Sequence, residues 1–274
     1  MSFTERGKIA GQLKLPCGRC IGCRVKRAQS WAIRCMHESQ MHSKSSFVTL
    51  TYDDEHYSPS LEYHDFQLFV KRMRRENSNR LRFFACGEYG EDKSRPHFHA
   101  LLFGVHFPNG KEVGESLYAS EALTRIWGKG MASFGAVTFA SAGYTARYAI
   151  KKRTGPMAED YYKRLDLSTG EIVSVRPEFG QMSRRPGVGR PWFDRFYHDI
   201  YGARDGVVLN GRTYAPPRYY DILLDNIRPD LSSDKEYDRY INSERFREDG
   251  TPERLAVREI VAKAKIQFFS KDKL

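Results

Sequence analysis

The chain has no long apolar run. Nowhere do its 274 residues approach the ~20 consecutive apolar side chains of a membrane-spanning helix, so no membrane partner is expected. The opening MSFTERGKIAGQLKL has no apolar h-region and does not read as a secretory signal. Cysteine is scarce and odd in number. There are five, three of them crowded at Cys17, Cys20 and Cys23, which argues against a secreted disulfide framework and for a reducing cytoplasm. Internal repeats and low-complexity tracts are missing, which removes repeat architectures. No G-x-x-x-x-G-K-[ST] segment occurs, so duplex unwinding must come from another protein. Acidic residues are in deficit, 34 against 45 basic, for a net charge of +11. A balance of that sign favours a polyanionic partner.

Hydrophobic residues make up 40% and charged residues 29%, enough apolar material for a packed core. The length suggests about two domains as a soft prior. The positive charge is concentrated: residues 1–45 carry +7, 46–140 carry −1, 141–218 carry +6 and the remainder −1. Two basic blocks flanking a near-neutral one are what an electrostatic footprint for phosphates looks like. We divide the chain accordingly into a basic cysteine-rich segment with a helix (1–45), a central core (46–155), a basic Arg/aromatic segment (156–220) and a C-terminal helical region (221–274). The acid-rich stretch 221–253 reads as solvated surface.

Hydrophobic spacing predicts helices at 24–38, 62–76, 119–128, 142–152 and 251–267. β-branched and aromatic runs predict strands at 47–52, 81–89, 97–105 and 134–140. The order β-α-β-β-α-β-α, with a short loop between the second and third strands, points to an α+β fold with helices packed on a mainly antiparallel sheet.

His97-Phe98-His99 lies in the third strand. Alternation puts both imidazoles on one face and Phe98, Ala100 and Leu102 on the other. Glu88, at the end of the preceding strand, would add a carboxylate across the hairpin. Two imidazoles and a carboxylate suit Mg²⁺ or Mn²⁺ with positions left open for substrate; the competing reading is two surface histidines. Tyr144 and Tyr148 are four residues apart, about 40° apart on one helix face, and Lys151 and Lys152 follow one turn on. The stripe faces either the core or a site among cations. Tyrosine can serve as a covalent nucleophile. With an unperturbed pKa near 10, making tyrosinate at pH 7 costs roughly 4 kcal/mol, which a nearby lysine or metal offsets.

These segments, F-V-T-L-T-Y (47–52), H-F-H (97–99) and Y-T-A-R-Y-A-I-K-K (144–152), resemble in order the three motifs of HUH endonucleases, in the two-tyrosine class. P-C-G-R-C-I-G-C-R (16–24), G-E-Y-G (87–90), R-P-H-F-H-A-L-L-F-G (95–104) and R-R-P-G-V-G-R-P-W-F (184–193) more narrowly resemble the replication initiators of microviruses, the gokushovirus branch in particular. The resemblance covers roughly residues 15–200. It implies a ferredoxin-like or RRM-like sheet carrying the histidines, with the tyrosine helix packed nearby. It also implies rolling-circle initiation on phage DNA in the cytoplasm of a bacterial host, with host helicase and polymerase as partners. His97, His99 and Glu88 would hold Mg²⁺ or Mn²⁺ at the scissile phosphate. Tyr148 or Tyr144 would attack it, leaving a 5′-phosphotyrosine and a free 3′-OH. Tyr148, in a Y-x-x-K pattern with Lys151, is preferred as the first nucleophile.

Cys17, Cys20 and Cys23 have ligand-like spacing for structural Zn²⁺, with Cys35 or His37 as fourth donor, or they are reduced thiols in a basic loop. Arg24, Lys26, Arg27, Arg147, Arg184, Arg185 and Arg190 are candidate DNA contacts. Trp192, Phe193 and Phe196 either stack on single-stranded bases or anchor their segment to the core. Two other functions compete. One is a plasmid relaxase or transposase of the same superfamily. The other is a non-enzymatic single-stranded-nucleic-acid-binding protein, which requires exposed aromatics such as Phe98 or Phe103 on the central strands.

Overall fold

A computed structural model describes residues 18, 20–77, 80–90, 94–107, 110–149, 152, 157–166, 169–202 and 204–271. The chain divides into two units, Ala28–Pro229 and Met1–Arg27 with Asp230–Leu274.

The larger unit is built on seven antiparallel strands. In chain order they are β1 (Ser45–Thr51), β2 (Arg82–Tyr89), β3 (Pro96–Phe103), β4 (Lys111–Gly114), β5 (Leu117–Ala119), β6 (Ala132–Ala136) and β9 (Phe179–Met182). Their order across the sheet is β4-β5-β6-β1-β3-β2-β9. The short pairs β7 (Lys163–Leu165) with β8 (Ile172–Ser174), and β10 (Val207–Leu209) with β11 (Arg212–Tyr214), form separate ribbons. The helices, again in chain order, are α1 (Ile21–Gln40), α2 (Tyr63–Glu76), α3 (Glu121–Trp127), α4 (Phe139–Ala149), α5 (Ala158–Tyr161), α6 (Arg190–Tyr201), α7 (Arg218–Ile227), α8 (Pro229–Glu244) and α9 (Pro252–Lys271). The expected α+β class, helices on an antiparallel sheet, is what the chain forms.

β2 and β3 are buried along almost their whole length, so both sheet faces need cover. On one face Val48, Leu50, Phe83, Phe98, Ala100 and Leu102 pack with Phe66, Phe69, Val70 and Met73 of α2 and with Leu123, Ile126 and Trp127 of α3. On the other, Phe47, Phe84, Leu101 and Phe103 pack with Ala28, Ala32 and Cys35 of α1 and Ala142 and Ala146 of α4. Alanines on these two helices let their backbones approach the sheet closely. Helix ends follow local chemistry. Ser120 caps α3 by accepting from the Leu123 amide at 3.3 Å, and Gly128 closes it with φ 64°, the left-handed conformation that suits glycine. Thr138 and Ser141 cap α4 reciprocally, each side-chain oxygen accepting from the other's backbone N–H (2.8 and 3.1 Å). That pair sets the start of the tyrosine helix. It also corrects the sequence boundary: the strand read to residue 140 ends at Ala136.

Candidate functional site

β3 is central, hydrogen-bonded to β1 on one side and β2 on the other. The register places His97 opposite Glu88 and Thr51, and His99 opposite Cys86 and Thr49. Directly paired residues share a face, so the face that is apolar at Phe84, Leu101 and Phe103 turns polar toward the other end of the same strands. There the Glu88 Oε1 lies 3.1 Å from His97 Nε2 and 2.9 Å from His99 Nε2. Among the described residues, one donor atom from each of Glu88, His97 and His99 falls within 4.8 Å of the others.

The outward nitrogens are fixed by neighbours. His97 Nδ1 lies 3.1 Å from the Arg95 carbonyl, an acceptor only, so Nδ1 donates and the Nε2 lone pair is left facing Glu88. His99 Nδ1 lies 2.9 Å from Thr49 Oγ1. Arg95 is itself tied down, by Asp54 at 2.7 Å and the Tyr52 carbonyl at 3.1 Å. Glu88 is 1% exposed and its Oε2 has no hydrogen-bond partner. Burial pushes its carboxyl pKa up, but hydrogen bonds and charge from His97 and His99 outweigh that and hold it below the ordinary range. Burial pushes the His99 imidazole below its ordinary value despite the Glu88 carboxylate. An ionised carboxylate with an orphaned buried oxygen, facing two neutral imidazoles, is an electron-rich cluster that a divalent cation satisfies. The donor set therefore fits the expected metal, whose identity these residues do not specify.

The tyrosines come to the same place. Tyr144 Oη lies 3.5 Å from His99 Nε2. The His99 ring is 5.0 Å from that of Tyr144 and 6.2 Å from that of Tyr148, and the two tyrosine rings are 4.6 Å apart. Burial pushes the Tyr144 phenol above its ordinary range, with the Glu88 charge and a hydrogen bond to Tyr148 adding to it. The stripe thus faces the site, while Ala142, Thr145 and Ala146 form the buried face of α4. Close helix–sheet contact depends on Gly180 of β9, where a Cβ would lie 2.7 Å from Ala149 Cβ. Lys151 lies outside the described residues; Lys152 and Arg147 are exposed.

The remaining candidates scatter. Cys17 lies outside the described residues; Cys20 is exposed and Cys23 half-buried. The suggested fourth donors are engaged elsewhere. Cys35 is fully buried in the apolar core, and His37 stacks on Trp192 at 3.6 Å and bonds the Tyr220 hydroxyl at 3.0 Å. Lys26 and Arg27 are exposed and Arg24 half-buried. Arg184 and Arg185 are exposed, whereas Arg190 pairs with Asp194 at 2.5 Å. Trp192 and Phe193 are buried, so of their two readings the core anchor is the one realised. Phe98 and Phe103 are fully buried, which leaves the non-enzymatic binding module without the exposed aromatics it needs there. Sequence reasoning missed Thr49. Its signal was the T-L-T alternation in the strand beside the histidines.

Comparison with known proteins places these features in context. A family model described as a replication-associated protein of the ORF2 type matches residues 45–153, the span of the histidine strand and the tyrosine helix. The chain is 36% identical over 233 residues to the replication-associated protein VP4 of Bdellovibrio phage phiMH2K, covering 80% of this chain and 70% of that one. It is 30% identical to the replication-associated protein ORF2 of Spiroplasma virus 4 over 227 residues (76% of this chain, 66% of that one). To the replication-associated protein ORF4 of Chlamydia phage 1 it is 29% identical over 248 residues, which is 85% of this chain and 58% of that one. The chain therefore spans about three-fifths to seven-tenths of these relatives. No solved structure matches it.

Proposed function

The chain belongs to the replication-associated proteins of microviruses, and from that membership we propose that it initiates rolling-circle replication by nicking and rejoining DNA through a tyrosine–phosphate bond. The observation that carries this reading is the convergence of Glu88, His97 and His99 with the Tyr144 hydroxyl, 3.5 Å from His99 Nε2. We take Glu88, His97 and His99 to hold Mg²⁺ or Mn²⁺, which when bound would polarise the scissile phosphate and lower the cost of forming tyrosinate.

The chain's own residues supply the rest. A tyrosine oxygen attacks phosphorus in line and the bond to the 3′ oxygen breaks. The phenol gives up its proton and the departing 3′-OH takes one, so no net proton is consumed. One phosphodiester replaces another, so the nick stores what rejoining needs. Tyr144 is hydrogen-bonded to Tyr148 and presses against His99. We assign Tyr148 the first attack and Tyr144 the second, after one round of synthesis. Thr49 and the Arg95 carbonyl position the imidazoles. Arg147, Lys152, Arg184 and Arg185 are the exposed cations assigned to the DNA backbone. Host helicase and polymerase would act on the freed 3′ end.

The test is a covalent-adduct assay. The protein is incubated with oligonucleotides tiled across the phage genome, with Mn²⁺ or EDTA, and resolved on a denaturing gel beside Tyr144→Phe, Tyr148→Phe and the double variant. The expected result is a Mn²⁺-dependent protein–DNA band, reduced most by Tyr148→Phe and abolished in the double variant. Tight EDTA-resistant binding with no band on any oligonucleotide would overturn the assignment.

A further inference from the structure

We propose that a second phosphate-binding cleft lies at the opposite end of β2 from Glu88 and grips single-stranded DNA about six phosphates from the point of attack. The proposal rests on the DNA reading above and adds to it a place and a path for the strand.

A cavity of about 660 Å³ opens between the C-terminal end of α2, the start of β2 and the turn after β9. Arg74, Arg80, Arg82, Arg184 and Arg185 line it, and no carboxylate does. Arg82 is buried and neutralised by Glu38. The other four are exposed, and none forms an ion pair among the described residues. Arg74 reaches only the Leu81 carbonyl at 3.5 Å, and Arg184 only the Gln181 amide oxygen at 3.4 Å, neither of which cancels charge. Like charges gathered round one cavity repel until an anion enters it. Guanidinium forks match phosphate oxygens in pairs, and exposed ones reach them with little desolvation cost.

The cleft is also built. The loop carrying Arg184 and Arg185 is held from four sides. The Ser183 amide donates to the Phe83 carbonyl at 2.9 Å, and the Phe83 amide to Ser183 Oγ at 3.1 Å. Arg82 Nη2 donates to the Pro186 carbonyl at 2.8 Å. The Gly189 amide donates to Glu38 Oε2 at 2.7 Å. The buried Glu38–Arg82 pair thus fixes the arginine loop to α1 and β2. A loop whose job was only to connect β9 to α6 needs no such buried ionic clamp.

Position supplies the path. Arg82 and Glu88 stand at the two ends of one strand. Six residues at about 3.3 Å each separate them by roughly 20 Å, which is about six phosphates at the ~3.4 Å per-strand spacing of duplex DNA. The edge strand β9 runs between the two places. Gly87 is its register partner for Phe179 and Phe84 for Met182, and α4, the tyrosine helix, packs on it through Ala149 and Gly180. A strand anchored at the cleft and following this edge arrives at the tyrosines.

The test is binding of the full chain to a fluorescent polythymidine strand of about 20 nucleotides in EDTA, read by anisotropy from about 0.05 to 1 M salt, the range over which phosphate contacts dominate the slope. Each lost phosphate contact lowers the slope of log K against log salt by about 0.7 on single strands. Arg184→Gln with Arg185→Gln should therefore lower the slope by about 1.4, a weakening of about 25-fold at 0.1 M relative to 1 M. Arg74→Gln with Arg80→Gln, from the opposite wall, should do the same. Both pairs are exposed, and thermal unfolding checks that each variant folds. Lys111→Gln with Arg212→Gln, exposed cations elsewhere, is the control and should leave the slope unchanged. An unchanged slope in either cleft pair, or an equal loss in the control, overturns the cleft. An equal or larger loss on a duplex of the same length overturns the single-strand assignment. Because EDTA prevents nicking, the cleft can fail while the tyrosine adduct survives, and the adduct can fail while the cleft stands.

Discussion

Thr49→Val isolates the positioning of one imidazole from the chemistry it supports. Thr49 Oγ1 lies 2.9 Å from His99 Nδ1, and valine keeps the branched shape while removing the partner. His99 is 6% exposed, so water does not readily replace the hydroxyl. An unpaired buried N–H costs about 1–3 kcal/mol. The ring can avoid that by moving its proton to Nε2, where Glu88 Oε1 waits at 2.9 Å. In that tautomer Nε2 is a donor and no longer a ligand. The metal-free protein should thus lose about 1 kcal/mol or less. Binding of Mn²⁺, which must reverse the tautomer, should weaken about 10–100-fold, the usual cost of losing such an outer partner. Titration of free Mn²⁺ by electron paramagnetic resonance, with adduct yield measured at each concentration, reads both quantities. The expected result is a raised Mn²⁺ Kd, an unchanged adduct yield at saturation, and recovery in Thr49→Ser. An unchanged Kd, or an adduct that saturating Mn²⁺ fails to restore, would falsify the tautomer argument.

Three further outcomes follow from the same geometry. Burial pushes His37 down to about 3 from an ordinary 6.5. The folded state then binds fewer protons than the unfolded between those values, and stability rises with pH across that window. About 5 kcal/mol, as an order of magnitude, should be present above pH ~6.5 and lost as pH falls toward 3. Urea titrations in which His37→Phe, which keeps the stack on Trp192, shows the same acid loss would refute this. Gly180→Val should press on Ala149, shift α4 and cut adduct formation at least about tenfold, the scale on which small misplacements of reacting groups act, with the salt slope of single-strand binding unchanged; an intact adduct rate counts against the packing argument. Adding EDTA to the wild type should abolish new adduct within the mixing time while leaving polythymidine binding, and an EDTA-resistant adduct on gels would remove the metal from the mechanism.

Much of the site was legible because strands announce their faces. In β1, β2 and β3 the apolar alternation is strong enough to fix the elements to within about two residues, and the pairing of His97 with Glu88 follows from hairpin geometry. Four-residue spacing likewise put both tyrosines on one side of α4. Legibility stopped where structure depends on partners distant in sequence. Phe-Gly-Gln-Met of β9 has too little β character to declare itself, and becomes a strand because β2 offers a free edge. The helices α7 and α8 lie in a stretch whose acidity reads as surface. The fates of Trp192 and Phe193 were undecidable from composition. What settles them is His37, far earlier in the chain, stacking on the Trp192 ring. Thr49 went unnoticed because a threonine in a strand is ordinary until a histidine stands opposite it.

The division of one sheet face explains why the site has these residues at this place. From Phe103 to Leu101 the face is dry and covered by alanines of α1 and α4; two residues further along β3, His99 meets Tyr144. Had the helices carried large side chains there, α4 would stand too far off for a phenol to reach an imidazole on the strand. Small residues in the dry half therefore set the reach of the tyrosines in the wet half. Ala142→Leu is the direct check. A fully buried alanine offers no room for three more heavy atoms, and such overpacking typically costs about 1–3 kcal/mol. The protein should remain folded with a lowered Tm, bind Mn²⁺ with its original Kd because Glu88, His97 and His99 sit on the sheet, and lose most of its adduct. Adduct formation at the wild-type rate in a folded Ala142→Leu protein would show that the tyrosines do not depend on this spacing.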